Sequence, residues 1–285
     1  MAPEAEIDKY CQKREKEKTM KSNYHTHSIF CDGKNTPEEI VLSAIEKGFH
    51  SIGFSGHGYT EFDLRYCMKD VEGYRKEINR LKGKYAEKIE IYLGSEEDAF
   101  RPVDRSKFDY IIGSSHYIHK DGKFYPIDSS MEYFQTCLSL FDGDFIRLAH
   151  AYYGTFCEYI LKRKPDIVGH FDLITKYIEK DPFLFGDVKE YDAVAAKYLE
   201  RVADSGCLFE VNTGAIARGA RTTPYPAENL LHILKKKGAG LVLSADSHAK
   251  ETLDFAFEET VARLKELGFS HTFVLRGGKF VKEFL

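Results

Sequence analysis

The chain of 285 residues carries 41 basic and 45 acidic side chains, a formal charge of −4, with 43% hydrophobic and 30% charged residues. That length suits one large domain or two small ones, with enough core to support buried polar ligands. The charge balance argues against a general nucleic-acid binder, which would be basic, and no apolar run reaches the length of a membrane span. A small anionic substrate is compatible with it, because a local cation cluster outweighs net charge.

Residues 1–20, with the run Lys13 to Lys18, are expected to be a solvated charged extension, and residues 21–285 the folded domain. Cys11, Cys31, Cys67, Cys137, Cys157 and Cys207 are scattered without a CxxC pair or a secretory signal. Free thiols in a reducing cytoplasm are therefore expected. Strand-like apolar runs follow at 22–27, 51–55, 89–94, 110–114, 166–170, 208–212 and 241–245. Helical patterns lie between them. Thr36-Pro37-Glu38-Glu39 combines an N-cap, a first-turn proline and a capping-box glutamate, and its helix stops at Lys47-Gly48. A second stretch, from Pro226 to Lys237, stops at Gly238.

Seven short apolar strands separated by helices predict a parallel sheet covered by helices, either an open doubly wound sheet or a closed barrel. Most of the strands end in a residue able to ligate a metal. A closed barrel gathers all strand C-termini around one mouth, whereas an open sheet scatters them along an edge. The expectation is therefore a barrel.

The ends of the strands carry the chemistry. His25-Thr26-His27 opens the set, since alternate strand residues face one side and two imidazoles can share a cation. His57 follows in Ser55-Gly56-His57-Gly58, and Glu96, Glu97 and Asp98 follow the run 89–94. Three adjacent acids repel unless a cation or solvent relieves them. His116, His170 and the closing Asp246-Ser247-His248 repeat the pattern of apolar run, small residue, ligand. Singly, each has an ordinary reading: a packed histidine, a capping aspartate, a solvated loop. Repetition at six of seven strand ends is what carries the metal reading.

In order and spacing these motifs resemble the polymerase and histidinol phosphatase (PHP) superfamily over residues 21–285. Gly169-His170-Phe171-Asp172-Leu173-Ile174 and Glu210-Val211-Asn212-Thr213-Gly214 look most like its stand-alone histidinol-phosphate phosphatases of histidine biosynthesis. The resemblance implies a distorted (β/α)7 barrel with a trinuclear site at the C-terminal ends of the strands. One metal would take His25, His27, Glu96 and Asp246, and Glu96 would bridge to a second held by His116 and His170. A third would sit with His57, His248 and a ligand from the loop after the first strand. Many relatives have a histidine in that loop; here Asp32 is the candidate, with Cys31 beside it. Six imidazoles and three carboxylates suit two to three zinc, iron or manganese ions better than calcium or magnesium.

A cation cluster would neutralise a phosphomonoester dianion, supply a nucleophile from water near neutral pH and stabilise phosphoryl charge. Arg218 and Arg221, in the loop after the sixth strand, are candidates for gripping phosphate, with Lys176 a further cation. Asp246 and His119 are candidates for passing a proton to the departing alkoxide. Glu97, Asp98, Tyr117 and Phe171 are candidates for recognising a substrate amine or imidazole. The expected partner is a small phosphorylated substrate, with no nucleic acid and no membrane. Another small phosphoester, an amidohydrolase-type barrel and a degenerate binding module are the alternatives. A bridging glutamate and the Asp246-Ser247-His248 ending favour phosphoester chemistry.

Overall fold

The computed structural model describes residues 21–285; the charged extension expected over residues 1–20 lies outside them, as does Cys11. Seven parallel strands form one sheet: β1 (Lys21–Asn23), β2 (Phe49–Phe54), β3 (Glu90–Asp98), β4 (Tyr110–Ser114), β7 (Ile167–Val168), β8 (Leu208–Asn212) and β9 (Leu241–Ser244). Between β4 and β7 an antiparallel hairpin is inserted, β5 (Tyr117–Lys120) and β6 (Lys123–Pro126), and a second, β10 (His271–Arg276) with β11 (Lys279–Phe284), ends the chain. Helices on the outside include Pro37–Glu46, Phe145–Arg163 and Glu228–Lys237. Among the described residues no helix is long and apolar enough to cross a membrane. The remaining five cysteines are free.

The sheet curls until β1 meets the chain just past β9. No ladder joins the two strands; the backbone pairing is a single parallel bridge, Thr26 to Ser247, with Asn23 Oδ1 accepting from Ala245 N at 3.3 Å beside it. His27 N donates to Ser247 O at 2.8 Å, and Ser247 N donates to His25 O at 3.0 Å. The result is a distorted, nearly closed (β/α)7 barrel whose seam runs through the first and last candidate ligand motifs.

Period-2 alternation explains the interior. Tyr110 and Ile112 of β4 point inward and pack with Tyr24, Tyr92, Ile167 and Val242. Gly94 leaves room for the Tyr110 ring, which a Cβ there would strike. Hairpin β10–β11 adds Val274 and Leu275 to this cluster, where Leu275 N donates to Tyr24 Oη at 2.8 Å. Outward residues of the sheet, such as Phe209 and Val211 of β8, pack under the helices. This filled lower barrel leaves the polar residues to the upper rim.

Local signals behave as physics requires. Thr36 accepts from Glu39 N while the Glu39 side chain reaches back, so the capping box is present. The second helix begins at Glu228 rather than at Pro226: Ala227 still has an extended ψ of 156° and donates its N–H to Asp172 Oδ2 at 3.0 Å. It stops at Gly238 in the left-handed conformation.

Candidate metal centre

The upper rim is assembled from chain that leaves the strands. After Asn23 the first strand stops pairing with β2, and its backbone turns so that His25 and His27 face inward, both fully buried. Gly33 lets the following loop fold back onto His27, since a Cβ there would collide with the His27 backbone. That return brings Asp32 Oδ1 to 3.5 Å from His27 Nδ1. Past β2, His57 forms a parallel bridge with Glu96. Asp246 takes a left-handed backbone conformation, φ 45°, which aspartate tolerates better than most residues.

Glu96 is the centre of the arrangement. Its Oε1 lies 3.2 Å from His116 Nε2 and 3.0 Å from His170 Nε2. Its Oε2 lies 3.2 Å from His25 Nε2, 3.6 Å from His27 Nε2 and 2.9 Å from His57 Nδ1. One carboxylate thus faces two separate imidazole groups, one through each oxygen. Asp246 Oδ1 sits 3.2 Å from His27 Nε2 and 3.6 Å from His25 Nε2. On the outer side, Asp32 Oδ2 lies 3.2 Å from His248 Nε2 and 3.7 Å from His57 Nε2. In four overlapping groups the ligand atoms all lie within 4.8 Å of one another. His27 joins both the Asp246 group and the Asp32 group, a double membership that the sequence does not suggest.

These residues fit cations on a physical ground. His25 Nε2, His27 Nε2 and Glu96 Oε2 are buried and have no hydrogen-bond partner. Buried polar atoms left without a partner are costly, and here they converge. Burial, with His248 and His57 alongside, pushes His27 down to about 3, so its imidazole keeps a free lone pair. Cys31 is a poor donor by comparison. Burial and the Asp32 carboxylate push its thiol up to about 12, and it remains a thiol 3.5 Å from His27 Nδ1.

Asp246 is gripped by Arg218, whose Nη2 donates to Oδ2 at 2.8 Å and whose Nη1 donates to the Asp246 carbonyl at 2.9 Å. Burial pushes the Asp246 carboxyl up, but Arg218, His25 and His27 outweigh it and hold the group well below the usual range. A carboxylate so held suits coordination and suits proton donation poorly.

Several expected site residues stand elsewhere. His119 is exposed on β5, which carries it outward from His116, and it stacks on Phe124 with ring centroids 4.5 Å apart. Arg221 is buried: it donates to Thr175 Oγ1 at 2.7 Å, lies 3.6 Å from Asp172 Oδ2 and covers the Tyr225 ring. It braces the loop and does not line the cavity. Lys176 does line the cavity, but its ammonium donates to Asp128, at 2.7 Å to the carbonyl and 3.2 Å to Oδ2. Glu97 is fully buried, taking Arg163 Nε at 2.6 Å and Tyr159 Oη at 2.6 Å. Phe171 stacks on Tyr153 in the core. Neither of these two can touch a substrate. Asp98 and Tyr117 do line the cavity.

Sequence reasoning assigned no role to Glu210. From β8 its Oε1 accepts from His25 Nδ1 at 2.6 Å and from Ser244 Oγ, and its Oε2 accepts from His170 N at 2.8 Å and Asn212 Nδ2 at 2.9 Å. A carboxylate on the far nitrogen of a ligating histidine fixes its tautomer and ring orientation. Glu210→Gln is expected to weaken metal affinity roughly 10- to 100-fold. Competition with a chelator measures this, and unchanged affinity would remove Glu210 from that role. The signal was available: a carboxylate on the inward face of a buried strand requires a partner.

Without a cation the acids keep protons on His25 and His116, though not on His27. Burial pushes His25 down, yet Glu210, Glu96 and Asp246 raise it well above its ordinary value; Glu96 and Asp98 do the same for His116. A raised pKa means the proton persists through neutral pH and must leave before the nitrogen can ligate. Apparent zinc affinity is therefore expected to climb as pH rises through neutrality, with protons released on binding. Calorimetry in two buffers of unlike protonation enthalpy counts those protons, and a count of zero would contradict the account.

A bridging carboxylate ringed by imidazoles at the mouth of a seven-stranded barrel defines a metal-dependent hydrolase. A family model described as PHP domain matches residues 23–214, and the chain belongs to that family. A probable histidinol-phosphatase of Schizosaccharomyces pombe is 27% identical over 277 residues, covering 89% of each chain. The histidinol-phosphatase of Lactococcus lactis is 24% identical, covering 92% of this chain and 97% of its own. The crystal structure of the Lactococcus lactis histidinol phosphate phosphatase, complexed with zinc, L-histidinol and phosphate, shares the fold. Its TM-score is 0.70 at 22% identity, over 92% of this chain and 99% of that one.

Proposed function

We propose that this protein is a metal-dependent phosphatase that hydrolyses L-histidinol phosphate to L-histidinol and phosphate, a step of histidine biosynthesis. Relatives named histidinol-phosphatase matched along most of their length support the substrate. The observation that carries the chemistry is Glu96, whose two oxygens face separate imidazole groups. In this reading His25, His27, Glu96 and Asp246 hold one cation, Glu96, His116 and His170 a second, and Asp32, His57 and His248 a third. Zinc, iron or manganese suits that mixture of nitrogen and oxygen donors. Residues 21–285 act as one catalytic unit, in the cytoplasm.

Bound there, the cations would neutralise the phosphate dianion and lower the pKa of water. The chain supplies the rest. Arg218 lines the cavity beside Asp246 and His248, with about a third of its side chain exposed. Its guanidinium can offer phosphate a planar pair of donors while still orienting Asp246. Glu96 and Asp246 remain ionised among the imidazoles and so preserve the negative charge that gathers the cations. Burial of His25, His27 and His170 keeps bulk water from the inner face.

Metal analysis of the purified protein, together with turnover of a phosphomonoester panel, tests the reading. Stoichiometric metal and a kcat/KM for L-histidinol phosphate well above nucleotide and sugar phosphates are expected. Metal-free protein that hydrolyses nothing after reconstitution would overturn it.

A further inference from the structure

The cavity at the barrel mouth, about 230 Å³, has chemically different ends. The inner end is the cation centre with Arg218. The outer wall, formed largely by the β2–β3 loop and the chain after β6, carries Asp98, Asp128, Tyr66, Tyr117 and Ser129, with Asp63 standing behind Tyr117. Most of its polar atoms are already committed. Asp63 takes Arg65 through both oxygens and also accepts from Tyr117 Oη at 3.1 Å. Asp98 accepts from Phe100 N through Oδ1 at 2.9 Å and from His116 N through Oδ2 at 2.8 Å. Tyr66 Oη and Ser129 Oγ pair with each other at 2.6 Å.

Asp128 differs. Its Oδ2 shares Lys176 at 3.2 Å, while its Oδ1 has no protein partner among the described residues. The side chain lines the cavity and is 23% exposed. Burial pushes its carboxyl up, but Lys176, His116 and His170 outweigh this and keep it ionised. Lys176 also donates to the Asp128 carbonyl.

Resting on the histidinol-phosphate reading above, we propose that Asp128 Oδ1 accepts a hydrogen bond from the substrate's ammonium group and so sets specificity. The site then selects phosphomonoesters of alcohols that carry a primary ammonium. The phosphate is drawn to the positive inner end and the amine to the one open carboxylate oxygen of the outer wall. An alcohol bearing a carboxylate at that position would meet Asp128 as a like charge and be rejected.

The test compares L-histidinol phosphate with its des-amino analogue, 3-(imidazol-4-yl)propyl phosphate, on the metal-loaded full chain. Wild-type protein is expected to favour the amine by roughly 100-fold in kcat/KM, the scale of one charge-assisted bond in a partly desolvated site. Asp128→Asn is expected to lose that preference while hydrolysing the des-amino ester within about threefold of wild type and keeping its metal content. Inhibition by L-histidinol, a readout free of turnover, should weaken in parallel. A preference that survives in the variant, or rates on both esters that fall together, would overturn the proposal. Turnover of both esters at equal rates by wild type removes this inference alone; turnover of neither removes the phosphatase reading with it.

Discussion

Glu96→Gln is expected to lower kcat/KM by roughly 10⁴-fold and to deplete bound metal, leaving the barrel folded. The carboxylate is the one group that faces both imidazole sets, through Oε1 toward His116 and His170 and through Oε2 toward His25, His27 and His57. An amide retains one acceptor oxygen and turns the other position into an N–H donor, so one of the two sets loses its shared anion. The folded state should tolerate the change, because the imidazoles that Glu96 keeps protonated can shed those protons once the anion is gone. Metal analysis, circular dichroism and steady-state kinetics on one preparation separate the effects. A variant with wild-type metal content and wild-type rate would sink the bridging role.

Arg218→Met is expected to reduce kcat/KM by about 10² to 10³-fold, the usual consequence of removing a preorganised donor from a developing anion. The guanidinium fixes Asp246 through two donors and also approaches His248 Nδ1 at 3.2 Å. Its loss should thus raise KM for the phosphate and lower kcat through a less ordered Asp246. Arg218→Lys should recover little, because an ammonium cannot reproduce the planar fork. Inhibition by inorganic phosphate isolates the binding part. Phosphate inhibition and kcat both within twofold of wild type would exclude Arg218 from substrate contact.

How much of this was legible in the sequence follows from what each signal measures. Runs 110–114 and 208–212 coincide with β4 and β8, because apolar alternation and ladder length agree there. Run 22–27 overstates β1, which ends at Asn23: beyond it Thr26 keeps only isolated bonds, to Ser55 on one side and in the bridge to Ser247 on the other, and hydropathy does not record the end of a ladder. Run 166–170 overstates β7, only Ile167–Val168, for a similar reason; Gly169 and His170 already turn toward the rim. Conversely β3 runs on to Asp98, since pairing with β4 continues past the apolar stretch and carries the acids with it. That extension decides which acid faces the barrel. Glu96 points in and Glu97 points out to Arg163, as strand alternation dictates once the strand is known to continue. The loop acids gave no comparable signal. Asp128, in Pro126-Ile127-Asp128-Ser129, reads as an ordinary turn until the β5–β6 hairpin places it over the cavity.

Closing the barrel through one bridge between Thr26 and Ser247 also constrains assembly during synthesis. The pair His25 and His27 emerges early from the ribosome, and Asp246 and His248 emerge more than two hundred residues later. Until that late segment is released, the group of His25, His27 and Glu96 lacks Asp246, and the group of Asp32 and His57 lacks His248. Full loading with cation is thereby deferred until residues 246–248 are made, and a nascent chain stalled before residue 246 should retain less metal than the closed barrel.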